Sequence, residues 1–549
     1  MTGDRPTYSL ITEPWIPCLM ADGSERELSL SGVFREACSI RDIIGELPTQ
    51  TFAITRLLLA ILRRAFADRF EDPDDPEGWT ELWEHGIPAE PVLDYLSGFA
   101  DRFDLLHPVT PFFQVAELRT AKNEVKDITP LLFDVPSNSR LFTGRAGSAL
   151  ERLSFAEAAR WLVHAHAYDP SGIKSGMVGD ARAKGGKGYP IGTGWAGAIG
   201  GILIEGESLD RTLLLNLPPD PEERSATDLP PWEREPDTAA ARPNEMPTGP
   251  VDLLTWQSRR IRLVVESGSV VGCVLGNGDR IGPQNQWTSE FHSAWRYSKP
   301  QTDKLKAGPV YMPRAHQLGR AFWRGISGLV VRSTASGSAG EPAPAFPPQV
   351  LTWHADLMLN GILPKETRIA PRAFGVEYGS NQSVVTDIID DRISAPLAAL
   401  IEAGGELSGT VERGVEAADV AVRELVRLAG DLAFAAGGDP EGPRARAAED
   451  GYSALDWPFR MWLNGLQPDA DAEPQLDNWK AQAETMVLEL AAERVRAANA
   501  VAWQGRAMQV NGRQVPVNTC TVEQKFLAEL RKNLARSNAR GDIIEEGTA

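Results

Sequence analysis

Apolar and polar positions change their rhythm several times along the 549-residue chain. The first 60 residues alternate short apolar runs with turns, and the spacing then becomes helical over 54–66. An acidic run over 68–84 follows and reads as a solvated loop and helix face. Residues 199–205, 212–217 and 261–265, rich in leucine and β-branched side chains, read as strands. Two stretches read as mobile linkers: 217–250, dense in Pro, Glu and Asp, and 333–348, built from Ser, Gly, Ala and Pro. Beyond about residue 398 the pattern is helical. Val415, Ala418, Val422, Leu425, Ala429 and Leu432 recur at three and four, as do Trp479, Ala483, Met486, Val487 and Leu490, and then Leu527, Leu530 and Leu534. With 457–463 as a fourth segment, these stripes predict a helical bundle. The expected fold class is therefore α+β: a large mixed α/β N-terminal domain over 1–398, followed by a C-terminal four-helix bundle over 399–549.

Composition narrows the function. A chain with 42% hydrophobic and 24% charged residues is globular and buries a large core. Its net charge of −19 argues against a freely acting nucleic-acid binder, yet allows a subunit with one narrow basic track. Cys18, Cys38, Cys273 and Cys520 lack the spacing of a zinc site or disulfide framework, which fits a reducing cytosol. The N-terminus lacks the apolar core of a signal peptide, and no apolar run approaches the ~20 residues that span a bilayer. A soluble, cytoplasmic protein without membrane partners or cofactors is expected.

Glycine is the most concentrated signal. Eleven glycines fall in the thirty residues from Gly172 to Gly201, where 50 glycines in 549 residues would put about three. Lys174, Arg182, Lys184 and Lys187 are interleaved, around Lys184-Gly185-Gly186-Lys187-Gly188. So few side chains leave the backbone bare, and the cations point to a polyanion lying against it. Gly192-Thr193-Gly194-Trp195-Ala196-Gly197 satisfies GxGxxG, but Pro190 precedes it and a strand-like run follows, so the dinucleotide context is missing. Gly186-Lys187 fails the P-loop pattern, because Ala181 replaces the first glycine and Gly188 the Ser or Thr.

Other chemistry is sparse. His164 and His166 share a helix-like run two residues apart and point in different directions, with no third ligand at suitable spacing. A metal-dependent phosphodiesterase using them is one alternative function; a purely structural assembly subunit is another. From Arg296 to Arg332 there are eight basic residues and one acid, interleaved with Trp295, Tyr297, Tyr311 and Trp323, which suits a surface following phosphates. Lys532, Arg536 and Arg540 share one face of the last helix, a second candidate track. Glu377-Tyr378-Gly379-Ser380-Asn381-Gln382-Ser383 reads, taken alone, as a polar turn.

Four segments, in order, resemble those of the CasA family, the large subunits of the type I-E CRISPR complex Cascade. They are Leu10-Ile11-Thr12-Glu13-Pro14-Trp15-Ile16-Pro17; His107-Pro108-Val109-Thr110-Pro111-Phe112-Phe113-Gln114; the glycine region with Thr212-Leu213-Leu214-Leu215-Asn216-Leu217; and Tyr378-Gly379-Ser380-Asn381-Gln382-Ser383. The resemblance extends over essentially the whole chain. It implies a non-catalytic subunit that inspects double-stranded DNA for the protospacer-adjacent motif (PAM) and starts its unwinding. By that resemblance Lys184, Gly185, Gly186, Lys187 and Gly188 lie against the PAM in the minor groove, and Asn381 and Gln382 form a wedge. The family's groove-reading lysine aligns with Gln286 when its tryptophan is matched to Trp295, so Gln286, or Lys299 or Lys304 nearby, would take that role. Leu141-Phe142-Thr143 resembles the segment touching the guide RNA 5′ end, which makes Phe142 and Thr143 candidates. Lys532, Arg536 and Arg540 would follow the displaced strand. Implied partners are the target duplex, the crRNA, the backbone, small and guide 5′-end-binding subunits of Cascade, and the recruited helicase-nuclease.

Overall fold

A computed structural model describes residues 7–69, 76–135, 143–222, 224, 226–332, 342–510 and 513–536. Helix and strand mix throughout the first part, and the C-terminal part is helical, so the fold is α+β. The described residues form two compact units. The first runs to Phe322 and takes in the described part of 334–363 together with Ile369–Arg392. The second is built from 323–332, Pro364–Arg368 and the described residues from Ile393 on.

The first unit opens with a three-stranded antiparallel sheet in which Ile16–Met20 lies between Glu25–Leu28 and Ile40–Ile43. Ile16, Cys18 and Met20 are buried on alternate positions, the period that a half-covered strand dictates. Trp15, fully buried, donates its indole N–H to Leu10 O at 3.0 Å, so the Trp-Ile-Pro segment anchors the entry to this sheet. Pro48–Ala65 is a helix started by proline in its first turn. It is buried nearly all round, which is why periodicity marks only its later part. Within it Arg56 meets Glu290 in a bidentate buried pair at 2.9 Å, and Trp195 Nε1 donates to the same carboxylate at 2.6 Å. Burial pushes the Glu290 carboxyl up, but the Arg56 guanidinium holds it well below the usual carboxylate range. The helix Phe155–Tyr168 starts from a capping box, Ser154 with Glu157, and packs on Pro48–Ala65.

Two sheet elements position the site. Gly201–Glu205 pairs antiparallel with Arg368–Tyr378, which pairs in turn with Val385–Arg392. Arg259–Glu266 and Ser269–Asn277 form a long antiparallel ribbon.

Three expectations need correction. Residues 212–217 are not a strand, because Leu209–Leu215 is a helix with Leu209, Leu213 and Leu214 buried. Leucine favours helix over strand, and no alternation supports a strand there. Residues 217–250 are not a loose linker. Trp232 is buried, Arg224 grips Asp220 at 2.8 Å, and Arg234 and Arg242 reach the buried Asp252 at 2.8 and 3.1 Å. The same Pro-rich, charged composition thus builds an ordered loop tied by internal ion pairs. In the run from Arg296, Trp295, Tyr311 and Trp323 are core residues and not stacking platforms.

In the second unit Leu407–Ala436 touches each of three other long helices, Glu441–Gly465, Ala472–Arg496 and Thr519–Asn533. Its buried stripe includes Ala418, Val422, Leu425, Ala429 and Leu432. Trp323, Phe459, Trp462 and Trp479 stack into one aromatic cluster with neighbouring centroids 4.1 to 5.6 Å apart. Among the described residues no helix is long and apolar enough to cross a membrane.

Candidate nucleic-acid interface

The centre of the glycine-rich stretch folds into a β-hairpin. Lys174–Ser175 pairs antiparallel with Lys187–Gly188. At the tip Lys184 N donates to Lys187 O at 2.9 Å, and Lys187 N donates back to Lys184 O at 3.1 Å. Gly185 and Gly186 are left as the two central residues, with φ of +58° and +75°. Two successive positive φ values make a type I′ turn, which glycine adopts without a Cβ clash. A Cβ built on either residue meets nothing within 4 Å, so the tip is bare main chain facing open space.

The four interleaved cations divide into two pairs. Lys174 Nζ sits 2.6 Å from Asp169 Oδ2, and burial lowers its ammonium pKa against the pull of that carboxylate. Arg182 donates to Asp180 at 3.0 Å and to Asn277 O at 3.3 Å. These two hold the hairpin in place. Lys184 and Lys187 are exposed, and neither forms an ion pair among the described residues. Gly188 is buried, its Cβ position 3.2 Å from Asn277 Nδ2, so it belongs to the base of the hairpin and not to its tip.

The turn at 379–384 joins Arg368–Tyr378 to Val385–Arg392. Gly379 N donates to Val384 O at 2.7 Å, and Gln382 N to Gly379 O at 2.9 Å. Asn381 and Gln382 both take left-handed backbone, at φ +54° and +57°, which costs a residue with a side chain about 1 kcal/mol each. Both are exposed. Ser171 N donates to Gln382 O at 2.9 Å, and Tyr378 Oη donates to Tyr168 O at 2.6 Å. The turn is thereby tied to the segment that leads into the glycine hairpin. A cleft of about 460 Å³ lies here, lined by Phe133, Asp169, Ile173, Lys174, Leu275 and Ser383 among others.

The remaining candidates are more scattered. Gln286 is buried at 2% exposure, and its amide donates to Gly282 O at 3.0 Å, so it presents nothing to a ligand in this conformation. Lys299 and Lys304 are exposed on the short helix Lys299–Leu305, where Asp303 lies 3.4 Å from Lys299. Arg324 and Arg332, counted with them in the basic run, belong to the second unit and pair with Asp419 at 3.2 Å and Glu412 at 2.6 Å. Thr143 Oγ1 accepts from Arg145 N at 3.1 Å; Phe142 lies outside the described residues. Against expectation Lys532 and Arg536 do not share a helix face, because the last helix ends at Asn533: Lys532 is exposed on it 3.6 Å from Glu529, Arg536 lies beyond it and meets Glu484 at 2.5 Å, and Arg540 lies outside the described residues.

His164 and His166 serve different parts of the core. His164 Nε2 lies 2.9 Å from Thr49 Oγ1, and His166 Nε2 lies 2.9 Å from Phe113 O. Burial pushes their pKa values down to about 3 and about 4, so both are neutral near pH 7. Nothing in the sequence marks Asp169 and Arg259, the buried pair beneath the hairpin. The one sign is a pair of adjacent arginines, Arg259-Arg260, opening an apolar run.

Known proteins share the sequence pattern and the fold. The family model for the CRISPR-associated protein Cse1 matches residues 9–490. A CRISPR-associated protein CasA/Cse1 from Thermus thermophilus is 29% identical over 454 residues, covering 81% of this chain and 82% of its own. The crystal structure of Thermobifida fusca Cse1 is similar at a TM-score of 0.88 and 46% identity, over 97% of this chain and 99% of that one. A chain of a CRISPR RNA-guided surveillance complex shares the fold at a TM-score of 0.68 and 19% identity, over 96% of this chain and 100% of that one. With the family model covering most of its length, the chain belongs to the CRISPR-associated Cse1 family.

Proposed function

We propose that this protein is the large, DNA-reading subunit of an RNA-guided surveillance complex of the Cascade type, and that it recognises a PAM and begins duplex opening without catalysing a reaction. One observation carries the reading: the bare Gly185–Gly186 tip and the exposed Asn381–Gln382 turn are tied together through the Ser171–Gln382 hydrogen bond. A minor groove is ~6 Å wide and carries a degenerate code, so a reader there gains from main chain that no side chain holds away from the base edges. Lys184 and Lys187 are exposed and flank the tip, and in this reading they meet the phosphates bordering the groove. Gln382 then enters beside the PAM, its planar amide occupying the space of a displaced base. Opening a base step costs on the order of a few kcal/mol, which the groove and phosphate contacts offset.

Sequence beyond the PAM is read by guide–target pairing, a division of labour known in other RNA-guided effectors. In the same reading Phe142 and Thr143 meet the guide 5′ end. Lys532, Arg536 and Arg540 of the helical unit follow the displaced strand. The other Cascade subunits bind around the chain, and a recruited helicase-nuclease cuts.

Gel shifts on the reconstituted complex test this, with a closed duplex bearing a PAM and the same duplex pre-opened beside it. Gln382→Ala should weaken closed-duplex binding about ten-fold or more, and pre-opened binding less than two-fold, because the cost of opening is removed from the second substrate. Gly186→Asp places a carboxylate against the DNA and should be the more damaging on both. Its cost to the fold is only about 1 kcal/mol of backbone strain, since the space around it is open. Wild-type binding by both variants would refute the reading.

A further inference from the structure

Beneath the hairpin lies a buried guanidinium with no part in the DNA contacts just described. Arg259 is 1% exposed and stands at the start of the ribbon strand Arg259–Glu266. Its Nε donates to the Asp169 carboxylate. Its Nη2 donates to Asp169 O at 2.9 Å, Pro170 O at 3.1 Å and Gly192 O at 2.9 Å, and its Nη1 to Ser258 O at 2.8 Å. Asp169 and Pro170 precede the hairpin, and Gly192 follows it. One side chain therefore clamps both flanks of the hairpin, and Gly194 N donating to Asp169 O at 3.0 Å adds a second clasp. The next residue, Ser171, holds Gln382 O. Burial pushes the Asp169 carboxyl up, but the Lys174 ammonium and the Arg259 guanidinium bring it below its ordinary value, so the carboxylate is ionised near pH 7.

We propose that Arg259 is the positioning residue of the DNA-reading surface, fixing the spacing between the glycine tip and the Gln382 turn. The inference rests on the function proposed above and extends it to a residue that touches no DNA. Its logic is geometric. A tip and a wedge act on the same base step only if both are held to one base. Of the charged side chains, guanidinium alone offers five donors in a planar fork, which lets it serve a carboxylate and several carbonyls at once. Lysine, with one ammonium, can keep the pair with Asp169 but cannot also reach Pro170 O and Gly192 O.

Arg259→Lys in the reconstituted complex is the test, because it keeps the buried charge and with it the fold. Binding to a closed PAM duplex should fall about ten-fold, the size of coupling carried by a packed network, while binding to the pre-opened duplex stays within about two-fold. The preference for PAM over non-PAM closed duplex should shrink by a similar factor. An equal loss on closed and pre-opened targets would mark Arg259 as merely structural and overturn the proposal; wild-type behaviour would do the same. Tyr378→Phe gives an independent readout should Arg259→Lys fail to assemble. It removes only the Tyr378–Tyr168 tie, and it should lower closed-duplex binding selectively, by a smaller factor. An equal effect on both targets, or none, again overturns the proposal. Gln382→Ala run alongside separates the two levels. If it is silent, the wedge reading itself is wrong; if it is damaging while the Arg259 and Tyr378 variants are not, only the positioning role falls.

Discussion

At the scale of single residues, charge at the hairpin is sorted by burial. Lys174 and Arg182 are neutralised by Asp169 and Asp180, and they stabilise the hairpin at the cost of being unavailable to a ligand. Lys184 and Lys187 are exposed and directly flank Gly185–Gly186. A cation in water that meets a phosphate releases a counterion, and each such contact adds ~0.9 to the slope of log affinity against log salt. Replacing both Lys184 and Lys187 with alanine should therefore reduce that slope by about 1.8, leaving PAM preference intact because phosphates carry no sequence information. Binding isotherms of the assembled complex across a salt series measure it. An unchanged slope would mean that the two lysines do not meet phosphate. Lys299 is the natural comparison, since Asp303 already sits beside it and its removal should change the slope less.

At the scale of elements, the glycine segment does two things that its composition merges. Gly185 and Gly186 need their freedom for the turn, whereas Gly194 and Gly197 are small because something is pressed against them. A Cβ on Gly194 would lie 2.3 Å from Ala167 C, and one on Gly197 would lie 2.2 Å from Tyr378 Oη. Gly197→Ala should thus push Tyr378 off Tyr168 O and shift the strand that leads into the Gln382 turn. Overpacking of this kind costs about 1–3 kcal/mol, readable in urea unfolding, and closed-duplex binding should fall with it. Adding Tyr378→Phe removes the clashing oxygen and should recover part of the stability; no recovery would place the strain elsewhere. These pairings explain what was legible in the chain. The helical stripes of the second unit show in the sequence because each helix buries one face. The glycine tip and the polar turn show because turn chemistry is local. The Arg259 clamp and the core roles of Trp295 and Trp323 depend on partners far along the chain, which no local pattern records. Gln286 illustrates the limit from the other side. Alignment places it at a reading position, yet folding buries it against Gly282.

At the scale of the whole molecule, titratable groups are unevenly shared between the two units. All seven histidines fall in the first unit, and the second has none. Burial pushes His164 down to about 3, and His166 and His354 to about 4. Their unfolded pKa is near 6.5, so between roughly pH 6.5 and 4 the unfolded chain binds protons that the native chain refuses. The native state therefore loses stability as pH falls through that window. Asp228 acts in the opposite sense: burial raises it to about 6, so it takes up a proton in the native state first and adds stability on acidification. Burial lowers His292 and His316 as well, so five histidines outweigh Asp228 and leave a net loss of stability as the pH falls toward 5. Urea unfolding at pH 7 and pH 5, with limited proteolysis to mark which segments open, should show the first unit's transition moving to lower urea while that of 393–536 stays nearly fixed. Replacing His354 with phenylalanine should remove one of these histidine contributions and flatten the pH dependence of the first unit alone. Transitions that move together would mean that the buried histidines are not neutral as described, or that the two units unfold as one.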